Sequence, residues 1–432
     1  MTTSSRIMRK GWCPGVRRPM ATGDGLLVRL HPPAGRLTAA QVRLIAEAAR
    51  QHGNGHLDIT ARGNLQIRGV RDESYPALMT LLNRVGLTEP EGDGPYRVTM
   101  VSPLAGVDMR ERFDALALAQ AIEEKARSIT GLPAKFFIAI DGGGLLPLDT
   151  IGADLHLAAL DDGNAVAFGL SSLNGLQWIG ATDSSRATET AVTILSGYAE
   201  MRDSGRSEAR RLRDLHPNMV GELADKAALG PAAAASPRNP APRAGILDVV
   251  GAKAVLLALP FGRCKSPQLE QAAEWSEQFG TGEIRLSFTR GILLPGVAEK
   301  HLAELLQAAA QSGFIIEADD HRLSLAACPG KPDCASARTP APDDALELAH
   351  ACEGLLSQGF TLHVSGCPKG CAHPGKADLT LVGRDDGRYD VVPNGTPRET
   401  ASHHLSVEEL MTRLLPLNTV DDLSRAFAEN VR

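Results

Sequence analysis

No apolar run in this 432-residue sequence approaches the roughly 20 residues that a membrane span requires, so no membrane association is expected. Blocks of like charge are also missing, and the net charge is −6, which argues against a nucleic-acid partner held through phosphate contacts. Residues 1–10 carry charges and hydroxyls but no apolar stretch of the kind a secretory signal needs, so a cytoplasmic location is expected. Nor is there a dinucleotide fingerprint. Gly53-x-Gly55 and Gly280-x-Gly282 follow a predicted helix and precede a strand, the reverse of the order such a motif needs. No HExxH or two-His-one-carboxylate pattern is present. What remains is an ordinary globular composition, 43% hydrophobic and 22% charged, which excludes wholesale disorder.

Against this background stand seven cysteines: Cys13, Cys264, Cys328, Cys334, Cys352, Cys367 and Cys371. In a reducing compartment they are not expected to pair as disulfides. Five residues separate Cys328 from Cys334, three separate Cys367 from Cys371, and both pairs lie in Pro/Gly-rich loops, CPGKPDC and GCPKGC. Four thiolates are the usual ligands of a [4Fe–4S] cluster. The first pair is wider than the Cys-x2–4-Cys knuckle common in zinc sites, although zinc and plain loop thiols remain alternatives on spacing alone. Cys13, Cys264 and Cys352 stand apart and are read as incidental core or surface thiols.

The chain is internally duplicated. Residues 28–70 superpose on 255–297 at a shift of 227 with thirteen of 43 positions identical, including Gly35/Gly262, Gln41/Gln268 and Gly53/Gly280. Residues 136–163 superpose on 360–387 at a shift of 224 with nine of 28 identical, including Asp154/Asp378. The positions matching Cys367 and Cys371 are Gly143 and Pro147, and Ser102 falls near the match of Cys328. Only the C-terminal half therefore carries cluster ligands, which points to one site between two pseudo-equivalent halves. The DGGG run at 141–144 occupies the hairpin position that holds SGC in the other copy, so it is a turn and no phosphate cradle.

Periodicity predicts strands at 25–30 and 56–70, a helix over 38–51 capped by Thr38 and ended by Gly53, and the same series again at 255–259, 267–279 and 284–297. These half-units are expected to pair edge to edge into a larger mixed sheet. The second part of each half should open with a helix, at 113–130 and at 343–356 with Asp343 or Asp344 as cap. Strands are then expected at 136–140 and 154–159, and at 361–364 and 378–382. The proline-rich run 229–244 reads as an exposed linker. The expected fold class is α+β: duplicated ferredoxin-like half-domains, at 15–88 and 245–316, plus two mixed α/β domains with pseudo-twofold symmetry. The first of these, 89–228, lacks cluster ligands, and the second, 317–432, carries them.

CPGKPDC followed by SGCPKGCAHPG, in a two-part duplication, resembles the sulfite and nitrite reductase haemoprotein family over about residues 15 to 420. The resemblance implies a tetrapyrrole bound between the halves, with Cys371 as the cysteine bridging cluster and macrocycle iron. GWCPG, GHLDITARGNLQIRGV at 55–70, the DGGG turn and SGCPKGCAHPG resemble the branch of the family that acts on precorrin-3A in aerobic cobalamin biosynthesis. That branch implies a [4Fe–4S] cluster plus a mononuclear non-haem iron, with O2 used to hydroxylate C20 and close a lactone, giving precorrin-3B. It also implies a separate electron donor, a reductase or ferredoxin, since the chain shows no nicotinamide-binding unit. The alternative is a sirohaem-dependent nitrite or sulfite reductase.

In the reductases two arginines and two lysines hold a small oxyanion. Arg62 and Arg97 match the arginines and Lys135 the first lysine, but Phe137 stands where the second lysine would be, and Lys369 replaces a usual asparagine. Losing one cation weakens a cage for sulfite or nitrite, and an aromatic suits an apolar ring face. Arg62, Arg97 and Lys135 are thus the expected catalytic residues. Arg62, Arg68, Asn64, Gln66 and Arg97 are the expected contacts to a polycarboxylate substrate, with Arg285 and Arg290 as further cations that the repeat places on strands or turns. His363 and His373 flank the cluster loop and are more plausible as hydrogen-bonding residues than as iron ligands.

Overall fold

The computed structural model describes residues 12–427 apart from 92–94, 96, 162, 173, 174, 250 and 374, so the signal-peptide reading of residues 1–10 lies outside the described residues. Each half opens with the same unit. Strand Gly25–Leu30 runs antiparallel to Leu65–Val70, which pairs with His56–Ile59, and helix Ala39–His52 packs behind them. The helix starts where predicted because Thr38 and Gln41 cap it reciprocally. The Gln41 amide donates to Thr38 Oγ1 (3.2 Å), and the Thr38 amide donates to Gln41 Oε1 (3.0 Å). In the second copy the Lys265 amide donates to Gln268 Oε1 (2.9 Å) at the start of helix Ser266–Phe279.

The halves do not join into one larger mixed sheet as expected. They form two antiparallel five-stranded sheets, each completed by a short strand from the other half. Arg263–Lys265 adds to His56–Ile59, and Arg36–Thr38 adds to Glu283–Leu286. This exchange follows from a tight turn before each helix. Ala34 and Phe261 both sit in the left-handed region (φ 50° and 57°), and the chain swings outward there to reach the opposite sheet. Both units then share one hydrophobic core, running from Val28, Ile45 and Ile67 to Val255, Leu269 and Leu294.

The second part of each half is a mixed sheet. In the first, Thr99–Val101, Ile138–Asp141 and Leu155–Ala159 are parallel, followed by antiparallel Ala165–Ser172 and Gly175–Asp183. Its counterpart comprises Leu325–Ala327, Leu362–Ser365 and Ala377–Gly383, then Tyr389–Gly395 and His403–Leu405. The duplication persists in single contacts. Asp154 Oδ2 accepts from the Phe137 amide (3.2 Å), and Asp378 Oδ2 accepts from the matching Thr361 amide (2.8 Å).

Two helices differ from expectation. The first spans Ala115–Ala126, capped by Asp114. The second starts earlier, at Ala341–Ala351, because Pro342 favours the first turn, and neither Asp343 nor Asp344 caps it. Asp344 instead accepts a hydrogen bond from the Tyr389 hydroxyl. This helix breaks at Cys352, and a short turn of helix, Glu353–Leu356, follows. Residues 229–244 form no helix and are largely exposed. Among the described residues, no helix is long and apolar enough to cross a membrane.

Two glycines test how the half-domain is packed. A Cβ on Gly53 would lie 2.4 Å from the Arg68 carbonyl oxygen, whereas one on Gly221, in exposed helix Pro217–Lys226, meets nothing within 4 Å. Gly53→Ala should lower the urea midpoint, at a cost of about 2 kcal/mol from backbone displacement. Gly221→Ala should raise it, through a stability gain of about 0.5–1 kcal/mol.

Candidate functional site

The two half-domain sheets carry the same row of positions across their outer faces, with different chemistry. In the first sheet, Arg29, Gln66, Asp58 and Arg263 lie side by side on neighbouring strands. Their counterparts in the second are Leu256, Leu293, Arg285 and Arg36. Leu256 and Leu293 pack against Leu104 and Leu146 as ordinary core. The first row faces charged groups instead. Arg263 donates to Asp58 Oδ1 (2.7 Å) and reaches Asp333 Oδ2, while Arg68, only 3% exposed, pairs with Asp24 (2.8 Å) and donates to the Asp333 carbonyl oxygen. Asp333 belongs to CPGKPDC, so this face holds the cysteine loop in place. The pseudo-equivalent clamp is Arg285 and Arg36, which bind the carbonyl oxygens of Pro103 and Ala105.

The cysteines leave the carboxyl ends of two adjacent parallel strands, Cys328 after Leu325–Ala327 and Cys367 after Leu362–Ser365. Cys328 and Cys367 are buried, Cys334 is half-buried and Cys371 is exposed. The Gly366 amide donates to Cys328 Sγ (3.1 Å). Burial raises the Cys328 and Cys371 thiol pKa values, and the neighbouring cysteines of the set raise them further, so the four thiols share one electrostatic environment. Glycine is required twice here. A Cβ on Gly330 (φ 67°) would lie 2.6 Å from the Ala341 nitrogen, and one on Gly366 would lie 2.8 Å from Ala337 Cβ.

This donor set fits a [4Fe–4S] cluster: four thiols from two loops, one already receiving backbone N–H donors. Among the described residues, no three His, Cys, Asp or Glu side chains converge at the spacing of a single-ion site. The same observation shows that the described side chains do not assemble a protein-only mononuclear iron site. His363 is fully buried with neither ring nitrogen partnered, and burial together with His373 lowers its pKa to about 4. His373 lies 5.7 Å from it, ring to ring, and its Nε2 contacts the Lys376 carbonyl oxygen (2.9 Å). Cys264 and Cys352 are buried, with thiols pushed up to about 12 by burial, as expected of incidental core residues.

Between the halves lies a narrow cleft lined by Arg62, Arg97, Met100, Leu286 and Phe288. The Arg62 guanidinium stacks 3.8 Å above the Phe137 ring and donates to the Lys135 carbonyl oxygen (3.3 Å). Arg97 donates to the carbonyl oxygens of Pro32 (2.7 Å) and Arg62. Neither arginine makes an ion pair among the described residues. Burial, reinforced for Arg62 by Arg211, lowers both to about 10, so both stay charged at neutral pH. Lys135 is exposed beside them. Arg29 completes the group. His31 is pushed down to about 2 by burial and by Arg29, Arg97 and Arg62, which places three cations around one neutral imidazole. The sequence reading passed over Arg29 and His31, although an arginine inside the apolar strand GLLVRL is the signal that marks the first of them. Cys13 also reaches this group, since it acts electrostatically on Arg29 and Arg62.

Asn64 and Gln66 are buried near these cations, and Asn64 Oδ1 has no partner. Arg68 and Arg285 do not join them, because both are committed to the clamps described above. In the first half, the place of the cysteine loop is taken by a carboxylate-braced loop. Asp141 accepts from the amides of Gly143 (2.9 Å) and Leu148 (2.7 Å), and Arg238 of the linker anchors there on Asp141 and the Gly144 carbonyl oxygen (3.0 Å).

A model described as the nitrite/sulfite reductase ferredoxin-like half domain matches the chain twice, at residues 18–85 and 251–312. Precorrin-3B synthase of Sinorhizobium sp is 34% identical over 399 residues, covering 90% of this chain and 83% of that protein. Ferredoxin–nitrite reductase of Synechococcus elongatus is 27% identical over 435 residues, covering 90% and 82%. In fold, the chain is similar to the NirA protein of Mycobacterium tuberculosis, with a TM-score of 0.73 at 23% identity over 90% of this chain and 79% of that one.

Beside the carboxylate-braced loop, burial first, then Asp108, Asp114 and Asp141, raise Glu111 to about 7 despite the Gly106 amide bond. A raised carboxyl stabilises the fold below its ordinary value of 4.5, and that contribution is lost as pH rises through 7. Urea unfolding of Glu111→Gln and the native chain should therefore agree in acid, with the variant becoming the more stable of the two above pH 7.

Proposed function

Because the chain belongs to the oxidoreductase family that unites precorrin-3B synthase with the nitrite and sulfite reductases, we propose that it is the precorrin-3A oxygenase of aerobic cobalamin biosynthesis. The reaction proposed is O2-dependent hydroxylation at C20 with lactone closure from a ring acetate, yielding precorrin-3B. The observation that carries this reading is Arg62 and Arg97, neither in an ion pair among the described residues, beside an apolar wall of Met100, Leu286 and Phe288, with Arg29 a third cation that acts on the same His31. A flat macrocycle edged with carboxylates needs both. The cleft is a narrow crevice with room for little more than a water-sized group, far short of the roughly 300–1,000 Å³ of a typical ligand pocket, so it takes one carboxylate edge of the ring while the rest lies along the seam between halves.

Arg62 and Arg97 offer planar donor arrays to the ring carboxylates, and their orientation is fixed before binding by the Phe137 ring and the Pro32 carbonyl oxygen. His31, held neutral, can accept a hydrogen bond without competing for the carboxylates. Lys135, exposed and tied to Arg62 through its carbonyl oxygen, is the proposed proton donor. A [4Fe–4S] cluster on Cys328, Cys334, Cys367 and Cys371 supplies single electrons when bound. Exposed Lys331, Arg338, Lys369 and Lys376 surround the Cys371 loop and suit an acidic electron donor such as a ferredoxin or its reductase.

The second reading, a sirohaem-dependent nitrite or sulfite reductase, draws on the reductase relatives. Phe137 disfavours it: the ring under Arg62 stands where the reductases have a lysine for their oxyanion. The absorption spectrum of anaerobically purified protein separates the two. A broad iron–sulfur shoulder without sirohaem bands is expected, and strong sirohaem bands would overturn the oxygenase reading. Cys367→Ala should lose the shoulder, acid-labile sulfide and turnover together, and full activity without a cluster would count against the cluster's role. Arg97→Met should weaken binding of precorrin-3A by about 10–100-fold, as expected from losing one charge-assisted contact of about 1.5–3 kcal/mol, while leaving the iron–sulfur spectrum intact.

A further inference from the structure

The turn at 287–291 joins the cleft to the cysteine loop. Phe288 lines the cleft, and two residues later Arg290 donates from Nη2 to the carbonyl oxygen of Ala372, the residue after Cys371 (3.0 Å). The matching turn in the first half, 60–64, has the same backbone bonds. The amides of Thr60 and Ser287 donate to the carbonyl oxygens of Asn64 and Gly291 (2.9 Å each), and those of Gly63 and Arg290 donate back to Thr60 and Ser287 (3.0 Å each). Both copies put the same position in the left-handed region, Gly63 at φ 59° and Arg290 at φ 66°. Glycine adopts that conformation freely and arginine does so under strain, so the second half keeps a side chain where the fold prefers none.

The Arg290 side chain is held in place. A Cβ on Gly262 would lie 2.7 Å from Arg290 Cβ, so that glycine makes room for it. Arg290 forms no ion pair among the described residues. Asp58 and the cation Arg243 are its electrostatic neighbours. It is thus a half-buried positive charge, hydrogen-bonded to a neutral carbonyl, against the loop that carries the exposed cysteine of the set.

We propose that Arg290 is a positioning residue for the Cys371 segment, and that its fixed charge raises the reduction potential of the cluster held by the four cysteines. Reduction adds a negative charge to the cluster, and a half-buried cation fixed against the residue after Cys371 favours the reduced form. The inference rests on the [4Fe–4S] reading. The test is an EPR-monitored redox titration of the anaerobically purified chain beside Arg290→Gly and Arg290→Lys, with iron, sulfide and thermal melting measured on each. Arg290→Gly copies the first half and relieves the strained backbone, so it should fold and melt no lower than the native chain. It should keep its iron and sulfide, yet titrate at a lower potential. Arg290→Lys should return most of that potential with an altered EPR line shape, because the charge survives and the hydrogen-bond geometry does not. An unchanged potential in Arg290→Gly, or a lowered one that Arg290→Lys fails to restore, would overturn the proposal while leaving the cluster reading intact. A native chain without iron, sulfide or a cluster signal would overturn both.

Discussion

The exchange of two short strands fixes where everything else can be. Arg36–Thr38 completes the sheet of the second half and Arg263–Lys265 completes that of the first, so neither sheet closes without the other. The residues that begin these strands are also the clamps. Arg36 and Arg263 pair in the ladders through their backbones, while their guanidinium groups reach the 103–105 loop and Asp333. One short segment therefore sets the relative position of both half-domains and of the loops beyond them. Arg263 lies between Asp58 and Asp333, and removing one partner from such a buried set typically costs about 3–5 kcal/mol, so the loop position is strongly specified.

Duplication supplies two equivalent frames, and the side chains make them unequal. On the first sheet the outer face carries Arg29 and Gln66; on the second it carries Leu256 and Leu293. At the inter-half turn, Ala34 and Gly63 leave a cleft on one side, while their counterparts Phe261 and Arg290 fill the other, with Phe261 packed against the core of the cysteine-bearing domain. The loop that holds Cys367 has a counterpart braced by Asp141 and closed by the linker residue Arg238. Two copies of one scaffold thus yield one cationic cleft and one thiol-bearing loop, joined by the 287–291 turn.

Much of this is legible in the sequence, and the limits have physical causes. The duplication, the helix from Thr38 to Gly53 and the four grouped cysteines depend on local spacing, capping chemistry and identity between copies. The strand exchange depends on pairing between residues more than 200 positions apart, for which three-residue strands leave no periodic signal. Arginines divide in the same way. Arg62 and Arg97 stand out through their motifs, but nothing local reveals that Arg68 and Arg285 are neutralised by distant carboxylates and carbonyl oxygens, or that Arg29 is not. The start of the helix at Ala341–Ala351 is hidden locally, because two aspartates resemble a cap until Pro342 is given its place in the first turn.

The central claim is that the seam between halves binds one tetrapyrrole, its carboxylates on the Arg29–Arg62–Arg97 side and its face toward the Cys371 loop. A crystal structure of the anaerobic protein with precorrin-3A tests it most directly. The account predicts one macrocycle per chain, with ring carboxylates within hydrogen-bonding distance of Arg62 and Arg97. A macrocycle on the side filled by Phe261 and Arg290, or bound away from the seam altogether, would contradict it.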